Sequence, residues 1–255
     1  LLKTGRDESG KWLYRFDGEG NILDRDISIY VDGFVLIGMT EYYVATGDER
    51  AKELAIETYE NTLWRLNHPG SYSVAPYVIE EGMKTHGVNM VFAYFYYQLG
   101  KAVGRDDICE EGYRLAMEVL NDFYVKEKDA ILEFVTIDGK FMDCPEGRAW
   151  VPGHAIECMW FLITIFVDRK EKENIELCCR IIKRHIELGL DEEKGGLCLA
   201  LDIGGKEPCF FSCFFGRQQL FHLLQKGIFS AADTFFHGCP PEYRMAIILH
   251  YTNEV

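Results

Sequence analysis

His154 and Glu157 stand at i and i+3 in the stretch Pro152-Gly-His-Ala-Ile-Glu157. If that stretch is helical, the two side chains share one face. A histidine titrates near neutrality, so it can both accept and donate a proton, and a carboxylate beside it can orient the ring or hold a hydroxyl. The pair therefore suits proton transfer. The stretch lacks the second histidine of a His-Glu-x-x-His metal motif, which speaks against zinc. A buried polar pair that merely satisfies itself has the same spacing, so spacing alone names no reaction.

The element that must carry the pair is legible. Pro152 suits the first turn of a helix and cannot continue one from its N-terminal side. From Gly153 to Val167 the residues are mostly apolar, which predicts a helix buried on most of its surface. A buried helix opening on a histidine and a carboxylate reads as the floor of a pocket.

Around it the chain repeats itself. Residues 10–22 alternate aromatics and then run Asp17-Gly-Glu-Gly20, a β-hairpin signal. Ser28 to Ala45 predicts a helix with Ile29, Phe34, Ile37 and Tyr42 on one side, closed by Thr46-Gly-Asp48. A second helix follows over 49–66. Met83 to Leu99 is an aromatic-rich helix and residues 108–125 the next, followed by a hairpin over 128–140 with an Asp138-Gly139 turn. The His154 helix breaks near Asp168-Arg-Lys170. A helix over 173–188 and a third hairpin signal over 191–205 follow. The unit of buried helix, polar turn, amphipathic helix and hairpin recurs about every 60 residues, as repeat architectures do. Its first helix is the more apolar and its second the more charged, the division that an inner and an outer ring of helices require. The expected fold is all-α, an incomplete (α/α)6-type toroid with short β-hairpins between helix pairs.

Composition narrows the function. With 255 residues, 48% hydrophobic and 27% charged, the chain is that of a globular protein with a sizeable core. A formal net charge of -14 argues against nucleic acid and against anionic membrane surfaces as partners. No run reaches the length of a membrane span and no signal peptide is visible. Nine cysteines without repeated Cys-x-x-Cys spacing, with Cys178 and Cys179 adjacent, read as buried free thiols of a reducing compartment. A cytoplasmic location is expected. Residues 209–255 differ in kind, with three Lys/Arg against three Asp/Glu and the Phe-rich Cys209-Phe-Phe-Ser-Cys-Phe-Phe215. The predicted division is therefore 1–208, a partial α/α-barrel domain, and 209–255, a divergent C-terminal segment with helices expected over 221–229 and 245–251.

The stretch Gly147-Arg148 through Pro152-Gly-His-Ala-Ile-Glu157 to Trp160-Phe-Leu162 resembles the signature of the N-acylglucosamine 2-epimerase family. That family includes the renin-binding proteins, the cellobiose epimerases and related aldose–ketose isomerases. Ser28-Ile-Tyr-Val-Asp-Gly-Phe34 with Glu41 to Asp48, and Gly87-Val-Asn-Met90 with Gln98-Leu-Gly100, resemble two further inner helices of the family. The resemblance covers about residues 5–207.

The resemblance implies an (α/α)6 barrel with a sugar pocket at one end and an isomerase that works on the carbon beside a sugar's carbonyl. N-acetylglucosamine and N-acetylmannosamine are the implied pair, with an aldose–ketose or cellobiose-type substrate the alternative. A catalytically impaired sugar-binding or protein-interaction relative is a third reading. A base removes the C2 proton and a second group returns it to the opposite face, with no cofactor and no metal. By resemblance His154 is the catalytic acid/base and Glu157 its carboxylate, while Tyr30, Asn89, Arg148 and Arg244 line the substrate. A small sugar is the expected partner and a homodimer the expected assembly. The chain departs from the family near its end. In His237-Gly-Cys-Pro-Pro-Glu-Tyr-Arg244, Pro241 stands where the family's second catalytic histidine belongs. The chain is also short of the family's first inner helix pair and most of the last two.

Overall fold

A computed structural model describes residues 5–8, 10–76, 78–191, 196–205 and 215–216. They fall into two compact units. One is built on Leu1–Met83 and Val91–Leu115, the other on Lys84–Met90 and Ala116–Val255.

In the first unit, β1 (Arg15–Phe16) and β2 (Ile22–Asp24) form the predicted antiparallel hairpin. Its turn is held by the Asp17 carboxylate, which accepts from the Glu19 and Asn21 backbone N–H groups. Helix α1 (Ile29–Thr46) ends where Gly47 takes a left-handed φ of 72°, a conformation cheap only for glycine. Asp48 then caps α2 (Glu49–Leu66), accepting from the Arg50 N–H at 2.9 Å. Of the side predicted for helix α1, Ile29 is buried but Phe34 and Tyr42 are not. Phe34 is 65% and Tyr42 52% exposed, whereas Ile29, Asp32, Gly33, Leu36 and Thr40 are buried. The reason is polar and steric at once. Asp32 must face Arg65 of α2, and Gly33 leaves room for the Phe92 and Phe95 rings, 3.3–3.4 Å from where a Cβ would sit.

Arg65 is almost wholly buried and bridges two carboxylates, Asp32 and Asp26, each at 2.8 Å. Removing one member of a buried ion network leaves the others uncompensated. Arg65→Met is expected to cost roughly 3–5 kcal/mol of folding stability at neutral pH. Burial pushes the Asp32 carboxyl up to about 6 even with Arg65 beside it. Without Arg65 the Asp32 carboxyl takes up its proton at still higher pH, so the loss is expected to shrink as the pH falls toward about 6. Chemical denaturation at two pH values checks this.

The expected helix over 83–99 begins instead as a strand, β3 (Met83–Thr85), and only then becomes α3 (His86–Val103). Helix α4 (Asp106–Glu118) runs beside it. Within the first unit, Gly112 brings the α4 backbone against α3, since a Cβ there would lie 2.6 Å from the Ala93 carbonyl oxygen.

In the second unit a π-helical turn, Val119–Phe123, leads to β4 (Tyr124–Val125) antiparallel to β5 (Ala130–Ile131), and β6 (Phe134–Thr136) pairs with β3. The Asp138-Gly139 turn is present, closed by Thr136 and Lys140, but the strands on either side of it do not pair as one hairpin. A single turn α5 (Pro145–Arg148) and β7 (Ala149–Trp150) precede α6 (Pro152–Arg169), which starts at the expected proline. Lys170, in the left-handed region, turns the chain into α7 (Lys172–Gly189).

The predicted third hairpin over 191–205 forms only in part: Leu190 bridges Leu197 antiparallel, and the Asp191 N–H bonds the Gly196 carbonyl at 2.8 Å. Strand β8 (Gly196–Leu197) pairs with β10 (Phe215–Gly216), while β9 (Leu201–Asp202) pairs with β7. Asp202 accepts a 2.9 Å hydrogen bond from Arg148 Nε, and the Ile203 N–H bonds the Arg148 carbonyl, so β9 is drawn to β7. All sheets among the described residues are two-stranded, so the fold is all-α, helical pairs joined by short ladders. Helix α6 is buried on most sides and α7 on one, with Cys158, Cys178 and Cys179 all buried. Burial pushes the Cys158 and Cys178 thiols up. No helix among the described residues is long and apolar enough to cross a membrane. Apart from Phe215–Gly216, the C-terminal segment and the helices expected in it lie outside the described residues.

Candidate active site

Three segments of the second unit converge on His154. The first is the junction of β3 and α3, which carries Thr85 and His86. The second is the link between β5 and β6, which carries Leu132 and Glu133. The third is the first turn of α6. Backbone bonds lock them together: the His86 N–H donates to the Glu133 carbonyl at 3.2 Å, and the Glu133 N–H to Ala149 at 2.9 Å. The start of α6 is held in place by Gly189 at the end of α7. A Cβ there would lie 2.6 Å from the Pro152 Cβ. Gly189→Ala is expected to force these two helix ends apart and cost about 1–3 kcal/mol, read as a fall in thermal midpoint.

His154 Nδ1 lies 2.9 Å from Glu133 Oε2 and donates to it, and the Thr85 hydroxyl donates to Glu133 Oε1 at 3.1 Å. The His86 ring lies against the His154 ring, centroids 4.5 Å apart and tilted by 42°. Its Nδ1 donates to the Leu132 carbonyl at 3.0 Å, and its buried Nε2 has no hydrogen-bond partner. Exposure grades outward: the His86 side chain is 0%, Glu133 12% and His154 28% exposed.

The charges follow from that gradient. Burial alone would raise the Glu133 carboxyl, but the charges of His154 and His86 and the hydrogen bonds from His154 and Thr85 outweigh it and hold it at about 2. Burial pushes the His86 imidazole down to about 4 despite Glu133. Burial also works against protonation of His154, yet the Glu133 charge and hydrogen bond, helped by Glu157, raise it above its ordinary value. At neutral pH the cluster is thus a carboxylate, an uncharged histidine and a histidine whose hold on a proton the carboxylate strengthens. Because Nδ1 carries the proton toward Glu133, the neutral His154 ring presents a lone pair at Nε2. Such a ring can take a proton and give it back.

The residues singled out from the sequence fall as follows. Glu157 lies on α6 beside His154, exposed, and acts on it through charge; the hydrogen bond to the ring comes from Glu133. Asn89 lies one turn into α3 on the His86 face, buried, with its Nδ2 lacking a hydrogen-bond partner. Arg148 is engaged by two carboxylates, Asp202 at 2.9 Å and Asp143 at 2.7 Å. Tyr30 is half-buried in α1 of the other unit. His237 and Arg244 lie outside the described residues. Sequence reading passed over Glu133 and His86. Glu133 did leave a signal, a lone carboxylate in the apolar run Ile131-Leu-Glu-Phe-Val135, where a buried charge demands a partner.

Comparison with known proteins bears on the fold and the family. An N-acylglucosamine 2-epimerase of Bos taurus is 27% identical over 190 residues, which cover 71% of this chain and 44% of that protein. The chain thus spans less than half the length of that relative. In three dimensions it is similar to a sugar epimerase from a ruminal bacterium (TM-score 0.70, 16% identity, 99% of this chain and 66% of that one). It is also similar to the cellobiose 2-epimerase of Bacillus thermoamylovorans B4167 (TM-score 0.73, 14% identity, 98% and 67%). At such identities the likeness is one of fold, and it places the helical pairs in the α/α toroid class. The family described as N-acylglucosamine 2-epimerase (GlcNAc 2-epimerase) matches residues 1–209, a span that holds the whole His154 site. The chain belongs to the N-acylglucosamine 2-epimerase family.

Proposed function

We propose that the protein is a carbohydrate 2-epimerase that interconverts N-acetylglucosamine and N-acetylmannosamine through the open-chain sugar. The observation that carries this reading is the His154–Glu133 pair at the mouth of the family's Pro-Gly-His-x-x-Glu helix. His154 Nε2 takes the proton from C2. The electron pair of the C–H bond moves into the C1 carbonyl and leaves an enediolate. Return of a proton to the other face of C2 gives the epimer, and return to C1 gives the ketose. Glu133 holds the ring and stabilises the imidazolium formed in the first step. Glu157 orients sugar hydroxyls beside it, with Asn89 and Arg148 in supporting substrate contacts. The chemistry needs no cofactor, because the adjacent carbonyl holds the charge. The setting is cytoplasmic and the assembly a homodimer.

The likeness to a bovine N-acylglucosamine 2-epimerase supports an N-acyl amino sugar over a disaccharide. His86 packs against His154 and is sealed from solvent, so it does not serve the opposite face of the sugar. The test is incubation with N-acetylmannosamine in deuterated water, watching the C2 proton by NMR. Deuterium uptake with appearance of the epimer is the expected result. Uptake without the epimer would mean one working base and half of the proposed reaction. No uptake with this sugar, with mannose or with cellobiose would overturn the reading in favour of a non-catalytic sugar-binding relative.

A further inference from the structure

The same three side chains form a second kind of site. His86, Glu133 and His154 each offer a ligand atom, and these atoms all lie within 4.8 Å of one another. Glu133 Oε2 is 2.9 Å from His154 Nδ1, and His86 offers Nε2, since its Nδ1 donates to the Leu132 carbonyl. Donors about 2.0–2.2 Å from a tetrahedral ion stand roughly 3.4 Å apart, so ligand atoms all within 4.8 Å of one another need only small shifts to close on a metal. Two further facts point to a ligand. The His86 ring is fully buried with an unpartnered nitrogen, and the Thr85 hydroxyl braces the far oxygen of the carboxylate, as outer groups do around metal ligands.

We propose that His86, Glu133 and His154 bind one divalent transition-metal ion, zinc before magnesium or calcium, as an inhibitory site. Two imidazole nitrogens and a single carboxylate suit zinc, cobalt or nickel, whereas the alkaline-earth ions want oxygen. The inhibition, though not the binding, rests on the role proposed for His154. A metal on Nδ1 takes the place of the proton there, and the neutral ring then carries its proton on Nε2. The atom proposed to accept the C2 proton becomes an N–H, and Glu133 is spent on the ion. His86 contributes the second histidine that the α6 motif lacks, from a different helix.

Cobalt(II) is the probe, because its visible spectrum separates nitrogen and oxygen ligands from the thiolates of this cysteine-rich chain. The full chain is expected to take up one cobalt ion with a tetrahedral spectrum lacking thiolate charge transfer. One equivalent of zinc should displace it. His86→Leu is expected to weaken zinc at least about tenfold. His154→Asn, which keeps a donor to Glu133 but removes the ring, should do the same and guards against a misfolded first variant. No metal uptake, thiolate ligation, or unchanged affinity in both variants would overturn the site. If the site fills, zinc should stop C2 exchange over the same concentrations and a chelator should restore it; exchange that continues with the site filled would overturn the inhibition. A chain that binds zinc yet shows no exchange without it would sink the proposed function and leave the site standing.

Discussion

His154→Asn is expected to reduce deuterium uptake at C2 by at least about 10³-fold while leaving the fold intact. The asparagine amide nitrogen falls where the imidazole Nδ1 was, so Glu133 keeps a donor at the place of the 2.9 Å bond. What disappears is Nε2, the atom proposed to accept the proton, and general-base assistance of this kind contributes roughly 10²–10⁴-fold. The choice of asparagine matters because alanine would leave the Glu133 carboxylate without its ring partner, at a cost of several kcal/mol. Retention of exchange within about tenfold of the parent, with an unchanged thermal midpoint, would remove His154 from the chemistry.

Glu133→Gln carries the second large effect, and its readout is a pH profile. The base form of His154 is the active one for proton abstraction, so exchange rises with pH through the His154 titration. In the parent that titration lies above the ordinary histidine value because the Glu133 anion favours the imidazolium. Glutamine removes the anion and leaves the burial that disfavours charge, so the midpoint of the rise is expected to move to lower pH. The plateau is expected to fall by about 10²-fold, since nothing then stabilises the imidazolium formed as C2 is deprotonated. A lower plateau with an unmoved midpoint would mean that Glu133 only shapes the site. The variant also changes stability in a defined direction. The depressed Glu133 carboxyl contributes stability that is present above its unfolded value and lost as the pH falls from about 4.5 toward about 2. His86, pushed down to about 4, adds stability lost between about 6.5 and 4. The parent is therefore expected to lose stability in two acid steps, of which Glu133→Gln removes the lower.

What could be read from the amino acids alone was local. The starts and stops of the helices come from short-range chemistry: Pro152 in a first turn, Gly47 in a left-handed stop, Asp48 as a cap. These stood where the sequence placed them because each depends on a few neighbouring atoms. The division between the all-round apolar α6 and the one-sided α7 is likewise a matter of periodicity. The position of His154 at a helix start was legible, and so was the family.

Tertiary structure decided which surfaces meet. Phe34 and Tyr42 were grouped with Ile29 on one side of α1, yet of the three only Ile29 is buried, and Asp32 is turned inward to reach Arg65. The stretch 191–205 looked like one hairpin, yet β8 paired with β10 and β9 with β7, because two-residue strands have too little pairing energy of their own to dictate who pairs with whom. The same holds at the site. Periodicity put Glu157 beside His154, but it is Glu133, 21 positions away on another segment, whose carboxylate reaches the ring, and His86 from a third that completes the cluster. Spacing along a helix determines which residues share its face. Which buried charge comes to rest against that face is settled only when the chain has folded and each buried polar group must find a partner.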